Sequence, residues 1–268
     1  MRIEEVKSLN LGGRLLELSQ PVVMGILNVT PDSFYAWSRV QTAHEVAERA
    51  NGIVSEGGAF IDVGACSTRP GSTPVSQEEE MARLRMALGV VRRELPYVPL
   101  SVDTFRPDVA RMAVEEFGAD IVNDVGEGQE EMLRMVARLR VPYILMSGKP
   151  TLSTSMLFFA ERVQQLRELG QKDIILDPGF GFGKTLDENF ALLGQLEALQ
   201  AMELPLLVGI SRKSMIFRLL GQAPDDALNG TTALNMVALQ KGAAILRVHD
   251  VRPAVECVKL HQALTLNS

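Results

Sequence analysis

A carboxylate standing where a short apolar run gives way to a glycine turn is the first residue of this sequence that could do chemistry. It is Asp177, which ends Ile174-Ile175-Leu176 and is followed by Pro178 and the alternating glycines Gly179, Gly181 and Gly183. The glycine spacing fits neither common nucleotide motif. Gly183-Lys184-Thr185 ends like a phosphate-cradling loop, but the position that should open such a loop is Pro178, and Gly-x-Gly-x-Gly is not the dinucleotide pattern. Other short apolar runs end in the same way, in Asn28, Asp62 (with Thr68 and Arg69 in the loop beyond), Asp103, Asn123, Lys213, and Arg247 with His249. Taken singly, these are also what helix caps and solvated side chains look like. Taken together, they divide into chemical sets. Asp177, Asn123 and Lys213 can meet the edge of a flat heterocycle, because a carboxylate accepts two N–H bonds, an amide donates and accepts, and an ammonium donates to ring oxygen or nitrogen. Arg69, Arg247 and His249 suit a phosphate or diphosphate. Asn28 beside them offers a neutral oxygen to Mg²⁺, which prefers oxygen ligands and substrate phosphates. Asp103 remains as a carboxylate beside a reacting centre.

The elements that must position these residues follow from periodicity. Strands are expected over 22–29, 60–63, 98–102, 121–122, 141–146, 174–176, 205–210 and 243–248. Helices are expected over about 42–56, from Ser76 to about 94, after Pro107, over about 129–139 and 156–169, from Leu186, over about 214–220 and 226–241, and over about 253–264. Ser76 followed by Glu79 predicts a capping box. The strands are short continuous apolar runs, as parallel strands buried on both faces should be. Eight such strands, each followed by a helix, fit a closed (β/α)₈ barrel in one domain, with residues 1–20 as a lead-in, better than an open sheet. In a barrel all the carboxyl strand ends meet on one face, where active sites of this architecture are built.

The chain has 268 residues, 46% of them apolar, and a net charge of −6. No basic stripe points to nucleic acid, and no apolar run is long enough for a membrane helix. Two distant cysteines, Cys66 and Cys257, and a charged amino terminus without an apolar core fit a reduced cytoplasmic chain. Against the negative overall field, an anionic substrate must be held by a few placed basic residues.

At this point whole stretches are similar to one family. GILNVTPDSF (25–34), STRPGS (67–72), SVDT (101–104), IVNDV (121–125), ILDPGFGFGKT (175–185), GISRKSMI (209–216), LNGTTALN (228–235) and LRVHDV (246–251) come in order and cover the chain. The sequence resembles the dihydropteroate synthases. The resemblance implies a TIM barrel of the folate pathway, a sulfonamide target, that joins 7,8-dihydropterin-6-ylmethyl diphosphate to para-aminobenzoate with Mg²⁺. It implies that Asp103, Asn123, Asp177, Phe182 and Lys213 hold the pterin. Asn28, Arg69, Arg247 and His249 would hold the diphosphate, with Asn28 on the metal, and Thr68, Arg69, Pro70, Lys213 and Ser214 the para-aminobenzoate. Asp103, Lys213, Arg247 and His249 would be catalytic. It further implies a homodimer, and loops 25–39 and 64–75 that close over the site.

The sequence departs from that pattern in three places. Trp37 stands where a glycine is expected, Ala65-Cys66 replaces Gly-Glu, and Met146-Ser147-Gly148-Lys149-Pro150 replaces a Met-His-Met-x-Gly-x-Pro stretch. The last change bears on the pterin floor and on the order of that loop. Two competing readings follow: a methyltetrahydrofolate methyltransferase-type barrel, which has no use for the STRPG and SRKS stretches, and a pterin-binding paralogue without turnover.

Overall fold

The computed structural model describes residues 7–29, 43–66 and 75–265. Trp37, Thr68, Arg69 and Pro70, and most of the two loops expected to close, therefore lie outside the described residues. Eight parallel strands form one sheet: β3 (Val22–Asn28), β4 (Phe60–Gly64), β5 (Leu100–Asp103), β6 (Ile121–Asp124), β7 (Tyr143–Met146), β8 (Ile174–Asp177), β9 (Leu207–Val208) and β10 (Ile245–Val248). Each strand pairs with its neighbour in chain order, and β10 lies between β3 and β9. The remaining seam, between β8 and β9, is joined by a bridge from Leu176 to Leu206, with the Leu176 N–H donating to the Pro205 carbonyl at 2.9 Å. The sheet thus closes into the expected barrel. The expected strand over 205–210 shortens to Leu207–Val208, and Pro205, which has no N–H to give, serves the seam through its carbonyl alone.

The helices lie between the strands: α1 (Ala43–Ser55), α2 (Gln77–Glu94), α3 (Pro107–Phe117), α4 (Glu130–Leu139), α5 (Leu152–Glu168), α6 (Leu186–Gly194), α7 (Ser214–Phe217), α8 (Leu228–Gln240) and α9 (Val251–Thr265). Their starts are written locally. Pro107 opens α3, where its missing N–H costs nothing. Thr185 and Glu188 form a reciprocal capping box on α6. At α2 the expected box is half made: Ser76 accepts from the Glu79 N–H, but the Glu79 carboxylate pairs with Arg83 instead. Helix α5 starts at Leu152, earlier than its apolar period implies, because Thr151 and Thr154 cap it reciprocally.

The lead-in is itself ordered. Strands β1 (Ser8–Leu11) and β2 (Arg14–Glu17) make an antiparallel hairpin, and Leu9, Leu11 and Leu18 pack with Met24, Phe60, Ile121, Ile144, Ile175, Leu207 and Ile245. That cluster is the barrel interior at its amino-terminal end. The larger core lies between the strands and the helices. The arrangement positions the site by period two. Two residues beyond Phe60, Ile121, Ile175 and Ile245, on the same inward face, stand Asp62, Asn123, Asp177 and Arg247.

Candidate active site

The carboxyl end of the barrel carries a buried layer of charged and amide side chains. Arg247 on β10 is its centre. Its Nε donates to Asp62 Oδ2 at 2.6 Å and its Nη2 to Asp103 Oδ2 at 2.5 Å. Asp62 is fully buried, and the same Oδ2 accepts from Asn123 Nδ2 at 3.1 Å. Burial works against the charge on Arg247, but Asp62 and Asp103 outweigh it and hold the guanidinium firmly protonated. Asp103 is pushed up to about 7, chiefly by burial, with Arg247 opposing and the nearby carboxylates adding.

The register explains why these groups meet. Asn28, Gly64, Asp103 and Asn123 are lateral partners across β3, β4, β5 and β6. Gly64 keeps the row open: a Cβ there would lie 3.2 Å from Asn28 Oδ1 and 3.3 Å from Asp103 Cβ. Asn28 and Asp103 therefore flank one gap.

Asp177 ends β8, buried, its Oδ1 accepting the Gly179 N–H at 2.8 Å. Burial raises its pKa, while Lys213 and Arg247 pull it back. Lys213 is lowered to about 8 by burial, with Asp177 opposing. Its ammonium donates to the Phe180 carbonyl and stands 4.6 Å from the centre of the Phe182 ring. The glycine turn permits this approach, since a Cβ on Gly181, at φ +80°, would press within 3.1 Å of the Lys213 side chain. Lys184 ties the turn down, donating to the carbonyls of Ser147, Gly179 and Phe182 at 2.9, 3.0 and 3.3 Å.

The altered stretch after β7 is held from several sides. The Ser147 N–H donates to the Asp177 carbonyl, the Gly148 N–H to Glu127 Oε1, and Lys149 pairs with Glu127. On β10's far side, His249 sits beside Ser211, its Nδ1 3.1 Å from Ser211 Oγ, and the Ser211 Oγ also accepts the His249 backbone N–H at 3.1 Å. Arg212, next to Lys213, makes a two-pronged pair with Asp250 at 2.8 and 2.9 Å. Arg106 ties the described ends of the second loop, pairing with buried Glu80 and reaching the Val75 carbonyl at 2.6 Å and the Cys66 sulfur at 3.8 Å. Burial pushes the Cys66 thiol up to about 12, so it stays a thiol, and both cysteines are free.

The structure thus brings together Asp103, Asn123, Asp177, Lys213 and Arg247, with Asn28, Phe182, His249 and Ser214 on the same end of the barrel. Asp62 was named from the sequence as a strand-end polar residue but given no role, and it proves to be the hub between Asn123 and Arg247. Its inward position two residues after Phe60 was the available signal.

A closed parallel barrel that buries carboxylate, amide, lysine and arginine side chains at its carboxyl end has the build of a small-molecule enzyme of the (β/α)₈ class. Residues 24–249 match the family described as pterin binding enzyme. The dihydropteroate synthase of Escherichia coli K12 is 39% identical over 267 residues, covering 94% of each chain. The Xanthomonas albilineans dihydropteroate synthase with 4-aminobenzoic acid superposes with a TM-score of 0.91 at 38% identity, covering 97% of this chain and 99% of that one. The same organism's enzyme in complex with 7,8-dihydropteroate gives 0.87 at 36% identity, covering 97% and 99%. The chain belongs to the pterin-binding enzyme family and, within it, to the dihydropteroate synthases.

Proposed function

We propose that the carboxyl end of the barrel binds 7,8-dihydropterin-6-ylmethyl diphosphate and para-aminobenzoate and joins them to 7,8-dihydropteroate, releasing diphosphate. The observation that carries this assignment of residues is the continuous polar layer. Asn123 meets Asp62, Asp62 and Asp103 both meet Arg247, and Arg247 in turn acts on the Asp177 and Lys213 pair, with His249 two residues beyond Arg247 beside Ser211. The STRPG and SRKS stretches speak against the methyltransferase reading, and the similarity to dihydropteroate synthases over nearly the whole chain favours a synthase over a non-catalytic paralogue.

The reaction is a displacement at the exocyclic methylene. The carbon–oxygen bond breaks with its electron pair going to the diphosphate, the aromatic amine nitrogen bonds to the carbon, and the amine then loses a proton. Positive charge grows on the methylene, where Asp103 faces it. Negative charge grows on the diphosphate, where Arg247 and His249 receive it. Pre-placed groups of this kind contribute about 3 kcal/mol each. The aromatic amine is a weak nucleophile, so holding it in line counts as much as activating it. Lys213 and Ser214, at the start of α7, are the described residues assigned to the para-aminobenzoate side.

Mg²⁺ fits this donor set in one way. Among the described residues no group of three His, Cys, Asp or Glu could cage a metal. An ion on Asn28 would therefore take its remaining oxygens from the substrate's diphosphate and from water, which is the habit of Mg²⁺. Bound there, it would neutralise charge on the leaving group. Homodimerisation is supported by exposed Leu219, Leu220, Leu260 and Leu264 around the last helices, and sedimentation reads it directly.

The test is turnover of both substrates with Mg²⁺, following diphosphate and pteroate. Product that is lost in Arg247→Ala supports the assignment, and bound pterin without product overturns the catalytic reading.

A further inference from the structure

We propose that Asp62 is a positioning residue that decides which end of the Asn123 amide faces the pterin, making Asn123 a reader of a pterin N–H. The inference rests on the pterin-binding reading above and deepens it.

An amide is nearly symmetric in shape, so something must choose its orientation. Here the chooser is a fully buried carboxylate. Asp62 Oδ2 takes Nδ2 of Asn123 at 3.1 Å and Nε of Arg247 at 2.6 Å. A carboxylate in an ion pair with a guanidinium can only accept. An Asn123 turned the other way would press its oxygen against the carboxylate, with no donor between them. The nitrogen is therefore fixed on Asp62 and Oδ1 is fixed away from it. Asn123 Oδ1 is buried and has no hydrogen-bond partner among the described residues, and neither does Asp62 Oδ1. A buried amide oxygen without a donor is costly, and an N–H on the ligand relieves it. Asparagine at position 62 could accept equally well, but it could also rotate and donate, so only the carboxylate forbids the flipped amide. Arg247 is what makes that carboxylate tolerable inside the barrel.

The experiment compares two probes at the pterin site: 6-hydroxymethylpterin, which carries a 2-amino donor, and the corresponding lumazine, which carries a 2-oxo acceptor. Affinities are measured by calorimetry and competition for the wild-type chain, Asp62→Ala, the isosteric Asp62→Asn, Asn123→Ala and Asp62→Ala with Asn123→Ala. Neither probe carries diphosphate, so loosening of Arg247 removes no leaving-group contact, and the Asn123→Ala background reads whatever it transmits through Asp103. The wild type should prefer the pterin. In Asp62→Ala the preference should fall about tenfold, because the freed amide can turn its N–H onto the 2-oxo group. Asp62→Asn should shift it the same way by less. In the Asn123→Ala background, Asp62→Ala should leave the preference unmoved. A preference that stays constant while both affinities fall together would make Asp62 a merely structural residue and overturn the proposal, as would an equal shift without Asn123. A wild-type chain that turns over substrate yet shows a constant preference in the variants sinks only this inference. A wild-type chain that binds no pterin overturns the functional reading and this inference with it.

Discussion

Replacing Asp177 by Asn tests the pterin side of the site with the least disturbance. Asp177 Oδ1 is occupied by the Gly179 N–H at 2.8 Å, so Oδ2 is the oxygen left for a ligand. The amide can keep its carbonyl on Gly179, which places an NH₂ group where Oδ2 stood, facing the ring's N–H donors. The ligand loses a charge-assisted bond, about 1.5–3 kcal/mol, and leaves a buried donor unpaired, about 1–3 kcal/mol. Together these come to about 2.5–6 kcal/mol, or a loss of affinity from about 70-fold to on the order of ten-thousandfold. The fold should survive, because burial already disfavours the Asp177 charge and removing it relieves that cost. Lys213 loses its opposing partner and should drop below its present value of about 8. The assay is calorimetric titration with 6-hydroxymethyl-7,8-dihydropterin at neutral pH, with a melting curve as the control on folding. A well-folded Asp177→Asn chain that binds within about threefold of wild type would refute the placement of the pterin edge on β8.

The pH dependence of the free enzyme should follow Asp103 and Lys213: kcat/KM should rise as pH passes about 7, where Asp103 ionises, and fall beyond about 8, where Lys213 loses its proton. Asp103→Asn should abolish the acidic limb, and a limb that persists would assign it elsewhere. Because Asp103 holds its proton more tightly folded than unfolded, its contribution to stability should decline as pH rises from the ordinary carboxylate range of about 4 to about 7, which pH-dependent melting reads. Arg247→Ala should strand Asp62 and Asp103 as buried, unpaired acids, costing about 3–5 kcal/mol and lowering Tm by on the order of 10 °C, and it should weaken binding of the diphosphate-bearing substrate more than that of the plain pterin. An unchanged Tm would mean that the two carboxylates do not depend on it. Lys184→Met should loosen the glycine turn from Ser147 and raise the pterin-substrate KM about tenfold, for a loss near 1.4 kcal/mol; an unmoved KM would show that the turn is held without it.

The strand ends were legible because a buried parallel strand has to be apolar until it stops, which makes the first polar residue conspicuous. That logic found Asn28, Asp103, Asn123, Asp177, Lys213 and Arg247. It undervalued Asp62, whose partner Arg247 is 185 residues away. Spacing along one strand cannot show an ion pair that only barrel closure creates. The start of α5 was missed for a local reason, since Thr151 and Thr154 cap each other while the apolar period begins later. The 146–150 segment read as a loss, a histidine and a methionine gone. What replaces them is contributed from outside the segment, by Glu127 and Lys184.

The pairing of Asp103 with Arg247 makes sense once the charges of the reaction are considered. Breaking the methylene–diphosphate bond creates a cation and an anion from a neutral bond. At rest, the carboxylate and the guanidinium at 2.5 Å neutralise each other in a buried place. On the proposed reading, each end of that pair would face the charge it suits when the bond breaks, and such preorganisation is where electrostatic catalysis gets its advantage over water. A lone pair would face a conflict, because Arg247 attracted toward the diphosphate would leave Asp103 or lose its own place. Asp62 removes the conflict. It holds Nε of Arg247 while Nη2 is shared, so the guanidinium keeps a buried counter-charge at every stage. The same carboxylate also accepts from the Asn123 amide, so on the proposed reading the group that steadies the leaving-group arginine would also orient the side chain that receives the heterocycle.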